Sequence, residues 1–228
     1  MKPDPLEEQE LLSRYTPYDG VRLNLALSQT GSVTGDTGTS DDVSNKLDRA
    51  LLAHLRSQAD VIVTSGATAR AENLRPSKLA PIFVLSKSGN IDALARLLST
   101  PTGLPVTLVV PMAVVETLTE NLQNHGWAAP AIGLPNLKPA AVIGLLRQLG
   151  YKRILLEVGP TLASIWTSVD AVGELCLTTT ELQPNEAGGS MIMGVAASLP
   201  NFIFSDKPAL TADFYSQATG SKFERWSL

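Results

Sequence analysis

Short apolar runs at positions 21–27, 60–64, 82–85, 106–110 and 152–157 alternate along this chain with segments of helical periodicity. That alternation limits the possible folds more than any other feature of the sequence. Most of the runs are near-continuous Val, Ile and Leu, the pattern of strands buried on both faces. Such strands, joined through helices, build an open and mostly parallel sheet with helices on each side.

The intervening segments carry their own punctuation. Val43, Leu47, Ala50, Leu51 and Leu55 recur at helical spacing, with Ser40 or Asp41 as the expected N-cap. Further helices are predicted over 67–72, 91–98 and 112–124, the last ended by Gly126. Pro139 opens a helix over 140–149 that closes at Gly150, and another begins near Pro160. The tail differs. Positions 174–180, 201–204, 213–217 and 222–226 read as strands with little helix between them, an antiparallel extension of the same sheet. Residues 1–20 read as a polar arm ending in the turn Pro17-Tyr18-Asp19-Gly20, and 21–228 as a single α/β domain.

Composition excludes several functions. With 18 Lys and Arg against 22 Asp and Glu, the net charge is −4, and no basic cluster offers a footprint for nucleic acid. Cys176 is the lone cysteine and His54 and His125 the only histidines, so neither a disulfide framework nor a multi-histidine metal site can be built. The apolar stretch around 106–115 contains Pro111 and is too short to span a bilayer. The first residues lack the apolar core of a signal peptide, and the expectation is a reduced, soluble, cytoplasmic protein.

In parallel α/β sheets, ligands bind beyond the carboxyl ends of the strands, where loops enter helix N-termini. Three such junctions stand out. In Leu155-Leu156-Glu157-Val158-Gly159-Pro160-Thr161-Leu162 an apolar strand ends in a carboxylate. Gly159 then permits close backbone approach and Pro160 presets the first helical turn, a geometry suited to a phosphate. An ordinary strand-to-helix turn, with Glu157 solvated, fits the same spacing. In Val63-Thr64-Ser65-Gly66-Ala67-Thr68-Ala69-Arg70-Ala71-Glu72 hydroxyls and a glycine open a helix, as phosphate binding or simple capping would both require. The third junction, Leu27-Ser28-Gln29-Thr30-Gly31-Ser32-Val33-Thr34-Gly35, is long and rich in small polar residues, as a ligand-covering loop would be. It contains neither GxGxxG nor GxxxxGK[ST].

Taken in order, these blocks resemble the reductase domain of bacterial riboflavin biosynthesis, within the dihydrofolate-reductase-like superfamily. Leu27-Ser28-Gln29-Thr30-Gly31 is similar to the family's SLDG block, and Leu55-Arg56-Ser57-Gln58-Ala59-Asp60-Val61-Ile62-Val63 to its LRxxxDAILVG run. Gly66-Ala67-Thr68 with Glu72 resembles GxTxxxDx, Glu157-Val158-Gly159-Pro160-Thr161-Leu162 resembles EGGPTL, and Gly173-Glu174-Leu175 begins the block similar to VDEL. The blocks cover about residues 21 to 182.

The resemblance implies a dihydrofolate-reductase-like three-layer sandwich that uses NADPH to reduce the ribosyl side chain of a pyrimidine 5′-phosphate to a ribityl chain. It places Leu27, Ser40, Thr68, Glu72, Gly159, Pro160, Thr161 and Leu162 along the cofactor. Arg56, Arg75 and Glu157 fall on the substrate side, with Lys78 as a second candidate for the phosphate and Glu157 and Glu72 as the catalytic acids. It also implies a homodimer. Thr30 replaces the family aspartate and Val158 replaces a glycine, which leaves room for two other readings: a same-fold reductase of another small carbonyl or pteridine-like substrate, and a catalytically silent nucleotide-binding homologue. The zinc deaminase domain that often accompanies the reductase has no counterpart in these residues.

Overall fold

The computed structural model describes residues 5–29, 44–99, 102–180 and 208–228. The predicted strands line up in one sheet. In chain order the elements are α1 (Pro5–Ser13), β1 (Gly20–Ser28), α2 (Lys46–Gln58), β2 (Val61–Ser65), α3 (Gly66–Ala71), β3 (Ile82–Leu85), α4 (Ala95–Leu98) and β4 (Val106–Pro111). A 3-10 turn over Met112–Val114 leads into α5 (Val115–Asn124), then β5 (Ala131–Leu134), α6 (Pro139–Gln148), β6 (Arg153–Glu157), α7 (Pro160–Thr167), β7 (Glu174–Thr180), β8 (Ala209–Ser216) and β9 (Ser221–Ser227).

The nine strands lie in the order β5-β4-β3-β2-β6-β1-β7-β9-β8. Pairing is parallel from β5 through β7, and antiparallel for β7 with β9 and β9 with β8. This is the mostly parallel sheet with an antiparallel C-terminal extension that the sequence predicts. The 201–204 strand lies outside the described residues.

Side-chain alternation sorts the core into two layers. Val21, Leu23, Leu25 and Leu27 of β1 face Val142 and Leu146 of α6 and Ala163 and Trp166 of α7. Ile62, Leu155, Cys176 and Phe223 face the opposite way, against Leu47, Leu51 and Leu55 of α2. Those three leucines are almost fully buried at i, i+4 and i+8, and each contributes about 1.5–3 kcal/mol of transfer free energy.

Helix boundaries differ from expectation at several points. Asn45, not Ser40 or Asp41, caps α2: its Oδ1 accepts from the N–H groups of Leu47 and Asp48 at 2.9 and 3.1 Å. Asn45 Nδ2 also donates to Ser221 Oγ at 2.5 Å, which ties the helix start to β9. The helix expected over 91–98 shrinks to Ala95–Leu98 behind Ala93, whose φ is +58°. Within the stretch read as a polar arm, residues 5–13 form a helix, because Leu11, with Tyr15 just beyond, is buried against the leucines of α2. The edge strand β5 has no counterpart among the sequence expectations: only four residues long, it sits between Pro130 and Pro135.

Candidate active site

The topology reverses at β6. From β1 the chain moves through α2 to β2 and on toward β5, while from β6 it moves through α7 to β7 in the other direction. Right-handed crossovers then place α2 and α3 on one face and α7 on the other, as the two core layers show. The loops leaving β6 and its neighbours part to opposite faces, which opens a crevice at the carboxyl end of β6.

Glu157 is the last residue of β6 and stands at that crevice. Arg56, near the end of α2, grips it bidentately: Nε donates to Oε1 at 2.8 Å and Nη2 to Oε2 at 2.6 Å. The two side chains are 27% and 13% exposed, so the pair is shielded without being sealed from water. Burial alone would lower the pKa of Arg56, but the hydrogen bonds and charge of Glu157 outweigh it and raise the pKa above the ordinary arginine value. A fork of this kind fixes the plane of the carboxylate.

Beyond Glu157 the chain turns through Val158, whose side chain is buried in the α7 layer, into Gly159. The Gly159 N–H donates to Thr68 Oγ1 at 3.2 Å. Thr68 Oγ1 is also 2.9 Å from Ser65 Oγ, and Ser65 Oγ accepts from the Thr68 N–H at 3.0 Å. The loops after β2 and β6 are thereby tied together above Glu157.

Gly159 is the N-cap of α7 and supplies no side-chain cap, and Pro160 has no N–H to donate. A Cβ added at Gly159 would approach only Thr68 Oγ1, at 3.8 Å, so the ground before this helix end is open. With the Gly159 N–H given to Thr68 and the Leu162 N–H to the Gly159 carbonyl, the exposed Thr161, through its N–H and hydroxyl, is the donor residue that this helix start turns toward an anionic phosphate. These residues fit the phosphates of a nicotinamide dinucleotide.

The structure thus brings Arg56, Glu157, Thr68, Gly159 and Pro160 together, with Leu27 and Leu162 packed in the α7 layer below. Glu72 follows α3 directly, half-buried, its N–H bonded to the Thr68 carbonyl at 2.9 Å. Arg75 and Lys78 are exposed in the segment after it. Ser40 and Thr30 lie outside the described residues.

Further polar side chains on the α2 face were not singled out from the sequence. Thr64 pairs in register with Glu157, and Asn24 of β1 follows Leu23, the partner of Leu156. Asp48 sits on α2 at 5% exposure, and Thr178 on β7 is fully buried. A signal for Asp48 existed: it shares the stripe of Leu51 and Leu55, where a charge is out of place. A small pocket among Tyr18, Arg22, Gln58 and Arg153 lies at the opposite, amino end of these strands. There Arg22 is paired with Glu174 and Arg153 with Asp60.

The sequence profile of the RibD C-terminal domain matches residues 20–181, the greater part of the chain. The chain belongs to that family. No curated protein sequence matches it. Among solved structures, it is similar to a pyrimidine reductase-like protein from Corynebacterium diphtheriae, with a TM-score of 0.71 and 23% identity over 92% of this chain and 91% of that one. A diaminohydroxyphosphoribosylaminopyrimidine deaminase/5-amino-6-(5-phosphoribosylamino)uracil reductase from Thermotoga maritima has a TM-score of 0.64 at 13% identity, over 91% of this chain and 56% of that one. A riboflavin biosynthesis reductase from Saccharomyces cerevisiae has a TM-score of 0.58 at 13% identity, over 94% of this chain and 91% of that one. These three solved structures share the fold of this chain. Among the described residues, no helix is long and apolar enough to cross a membrane.

Proposed function

We propose that this chain is an NADPH-dependent reductase of the riboflavin-biosynthesis type, which converts the ribosyl side chain of a pyrimidine 5′-phosphate to a ribityl chain. The observation that carries this reading is the pairing of two features at one crevice: the open helix start at Gly159 and the oriented carboxylate of Glu157, in a RibD C-terminal domain. NADPH, when bound, supplies the hydride. The protein's share is binding, orientation and proton management.

Gly159, Pro160 and Thr161 would hold the cofactor phosphates at the α7 N-terminus, with Thr68 bracing Gly159 and with Leu27 and Leu162 supporting the turn from the core. Glu157, with both carboxylate oxygens accepting from Arg56, is placed to accept from hydroxyls of the sugar chain. The proton that accompanies reduction then comes from water or from the Glu72 side. Arg75, exposed beyond α3, is the cation we assign to the substrate phosphate, as an ion pair reaching in from the rim.

The test is loss of the reduced-nicotinamide absorbance when the protein is given NADPH and 5-amino-6-(5-phosphoribosylamino)uracil. Turnover that collapses in Glu157→Gln supports the reading, and absence of turnover in the wild type overturns it. We propose a homodimer as the working form, with Ile165 and Val169 of the α7 region, 43% and 57% exposed, at the contact. Light scattering that returns a single-chain mass at micromolar concentration would exclude it.

A further inference from the structure

Cations are unevenly placed on this protein. The stretch formed by α3, the segment after it, β3 and α4 carries Arg70, Arg75, Lys78, Lys87 and Arg96 against Glu72 and Asp92, in a chain whose net charge is −4. Two other helices on the same face of the sheet have the opposite sign. α5 bears Glu116 and Glu120, α1 bears Glu7, Glu8 and Glu10, and neither helix contains a lysine or an arginine.

The five cations are scattered in sequence, and the fold gathers them. Arg96 of α4 reaches the segment after α3, where its Nη1 donates to the Asn73 carbonyl at 3.2 Å. Arg70 of α3 reaches the loop after β3, where its Nη1 donates to the Asn90 carbonyl at 3.2 Å. The turn that bears Lys78 is fixed as well. Ser77 Oγ accepts from the N–H groups of Leu79 and Ala80 at 3.1 and 3.4 Å, and the Ser77 carbonyl accepts from the Leu104 N–H at 2.7 Å. Arg75, Lys78 and Lys87 are exposed. Among the described residues, none of Arg70, Arg75, Lys78 and Lys87 forms an ion pair.

One end of this strip lies at the candidate active site. Arg70 stands two residues beyond Thr68 on α3, and Thr68 accepts from the Gly159 N–H before α7. Lys87 follows just past the carboxyl end of β3, the strand next to β2. From that rim the strip leads away from the crevice along the segment 72–80, toward the amino end of β3. A positive strip that ends at a crevice, on a face otherwise lined by acidic helices, draws anions to that crevice before any contact is made.

We propose that the strip from Lys78 to Arg70 and Lys87 is an electrostatic collecting surface, which guides anionic dinucleotides into the crevice and makes NADPH associate faster than NADH. This inference rests on the reductase reading above and concerns how that site is reached. NADPH carries about two more negative charges than NADH, on its 2′-phosphate, so the same field acts on it more strongly.

The experiment is stopped-flow association of NADPH and of NADH with the wild type and with Lys78→Gln/Lys87→Gln, followed by tryptophan fluorescence. It is run at about 0.01 M salt, where charges act over about 30 Å, and at high salt, where they are screened within a few ångströms. The wild type should take up NADPH about tenfold or more faster at low salt than at high salt, with a smaller salt effect for NADH. The variant should take up NADPH several-fold more slowly than the wild type at low salt and equally fast at high salt. Its release rate should equal that of the wild type at both, because steering changes arrival and leaves departure alone.

Association rates that ignore both salt and the two lysines overturn the collecting surface and leave the reductase reading intact. A variant altered only in its release rate also overturns it, since the lysines would then be direct contacts of the bound nucleotide. A wild type that binds neither nucleotide overturns the reductase reading, and the collecting surface with it.

Discussion

The Gly159 N–H donates to the hydroxyl of Thr68, 91 residues earlier in the chain, and this bond joins the loops after two adjacent strands. Thr68 is itself steadied by Ser65, the N-cap of α3. The backbone that we assign to the cofactor phosphates is therefore braced from the neighbouring strand. Thr68→Val keeps the volume and removes the acceptor, leaving a half-buried N–H unpaired. We expect a loss of about 1 kcal/mol in stability by urea denaturation, together with weaker NADPH binding. Wild-type affinity for NADPH in this variant would remove the brace from the account.

Gly159 separates binding from folding. Its φ of −68° and ψ of 169° are open to any residue, and a Cβ there meets nothing closer than 3.8 Å. Gly159→Val should therefore fold with a thermal midpoint near that of the wild type, while its side chain occupies the approach to the α7 N-terminus. NADPH affinity should fall by about tenfold or more. A variant that binds NADPH normally would move the phosphates elsewhere.

The Arg56–Glu157 pair carries both stability and function. Arg56→Met leaves a shielded carboxylate without its fork, at a cost of about 1–3 kcal/mol. Adding Glu157→Gln to Arg56→Met should recover part of that loss, a coupling that a double-mutant cycle in urea reads directly. The stability lost in the double variant should not exceed that of Arg56→Met, whereas turnover should be lost in every variant lacking Glu157. Strictly additive stabilities would show that the pair is not coupled.

Asp60 sets an acid limit on stability. Partial burial pushes its pKa up, but bonds from the Arg153 side chain and from the N–H groups of Arg153 and Lys152 hold it below the ordinary carboxylate value. The native state therefore binds fewer protons than the unfolded state in the acid range, and stability falls as pH falls. The Asp60 contribution is fully present above its unfolded pKa of about 4 and disappears as pH drops through the lower native value. Asp60→Asn should be less stable than the wild type at neutral pH, with the gap closing in acid. A gap that stays constant across the pH series would contradict this sign.

Much of the fold was legible because buried parallel strands announce themselves. Val61 to Val63, Leu108 to Val110 and Ile154 to Leu156 are apolar on both faces, and all of them form interior strands. What escaped had weak local signals. Ala131 to Leu134 is too short, and too crowded by prolines, to suggest a strand, and it forms only because β4 offers a free edge. The cap of α2 was misplaced because Ser40, Asp41 and Asn45 are all good capping residues, and Ser221, far along the chain, helps to hold Asn45.

The site was legible in the same uneven way. Glu157, Gly159 and Thr68 belong to contiguous blocks, so their strand-to-helix junctions could be read. That Thr68 and Gly159 touch, and that Arg56 closes on Glu157, depends on β6 inserting between β1 and β2. Local periodicity carries no information about that insertion. Asp48 and Thr178 meet only across a helix and a strand, a contact visible only in three dimensions.

The central claim is that the carboxyl end of β6 is a nicotinamide dinucleotide site. Titration of the purified protein with NADPH, followed by quenching of tryptophan fluorescence, tests it most directly, because Trp166 is buried within α7 itself. The account predicts saturable quenching, stronger for NADPH than for NADH. No saturable response to either nucleotide would contradict it.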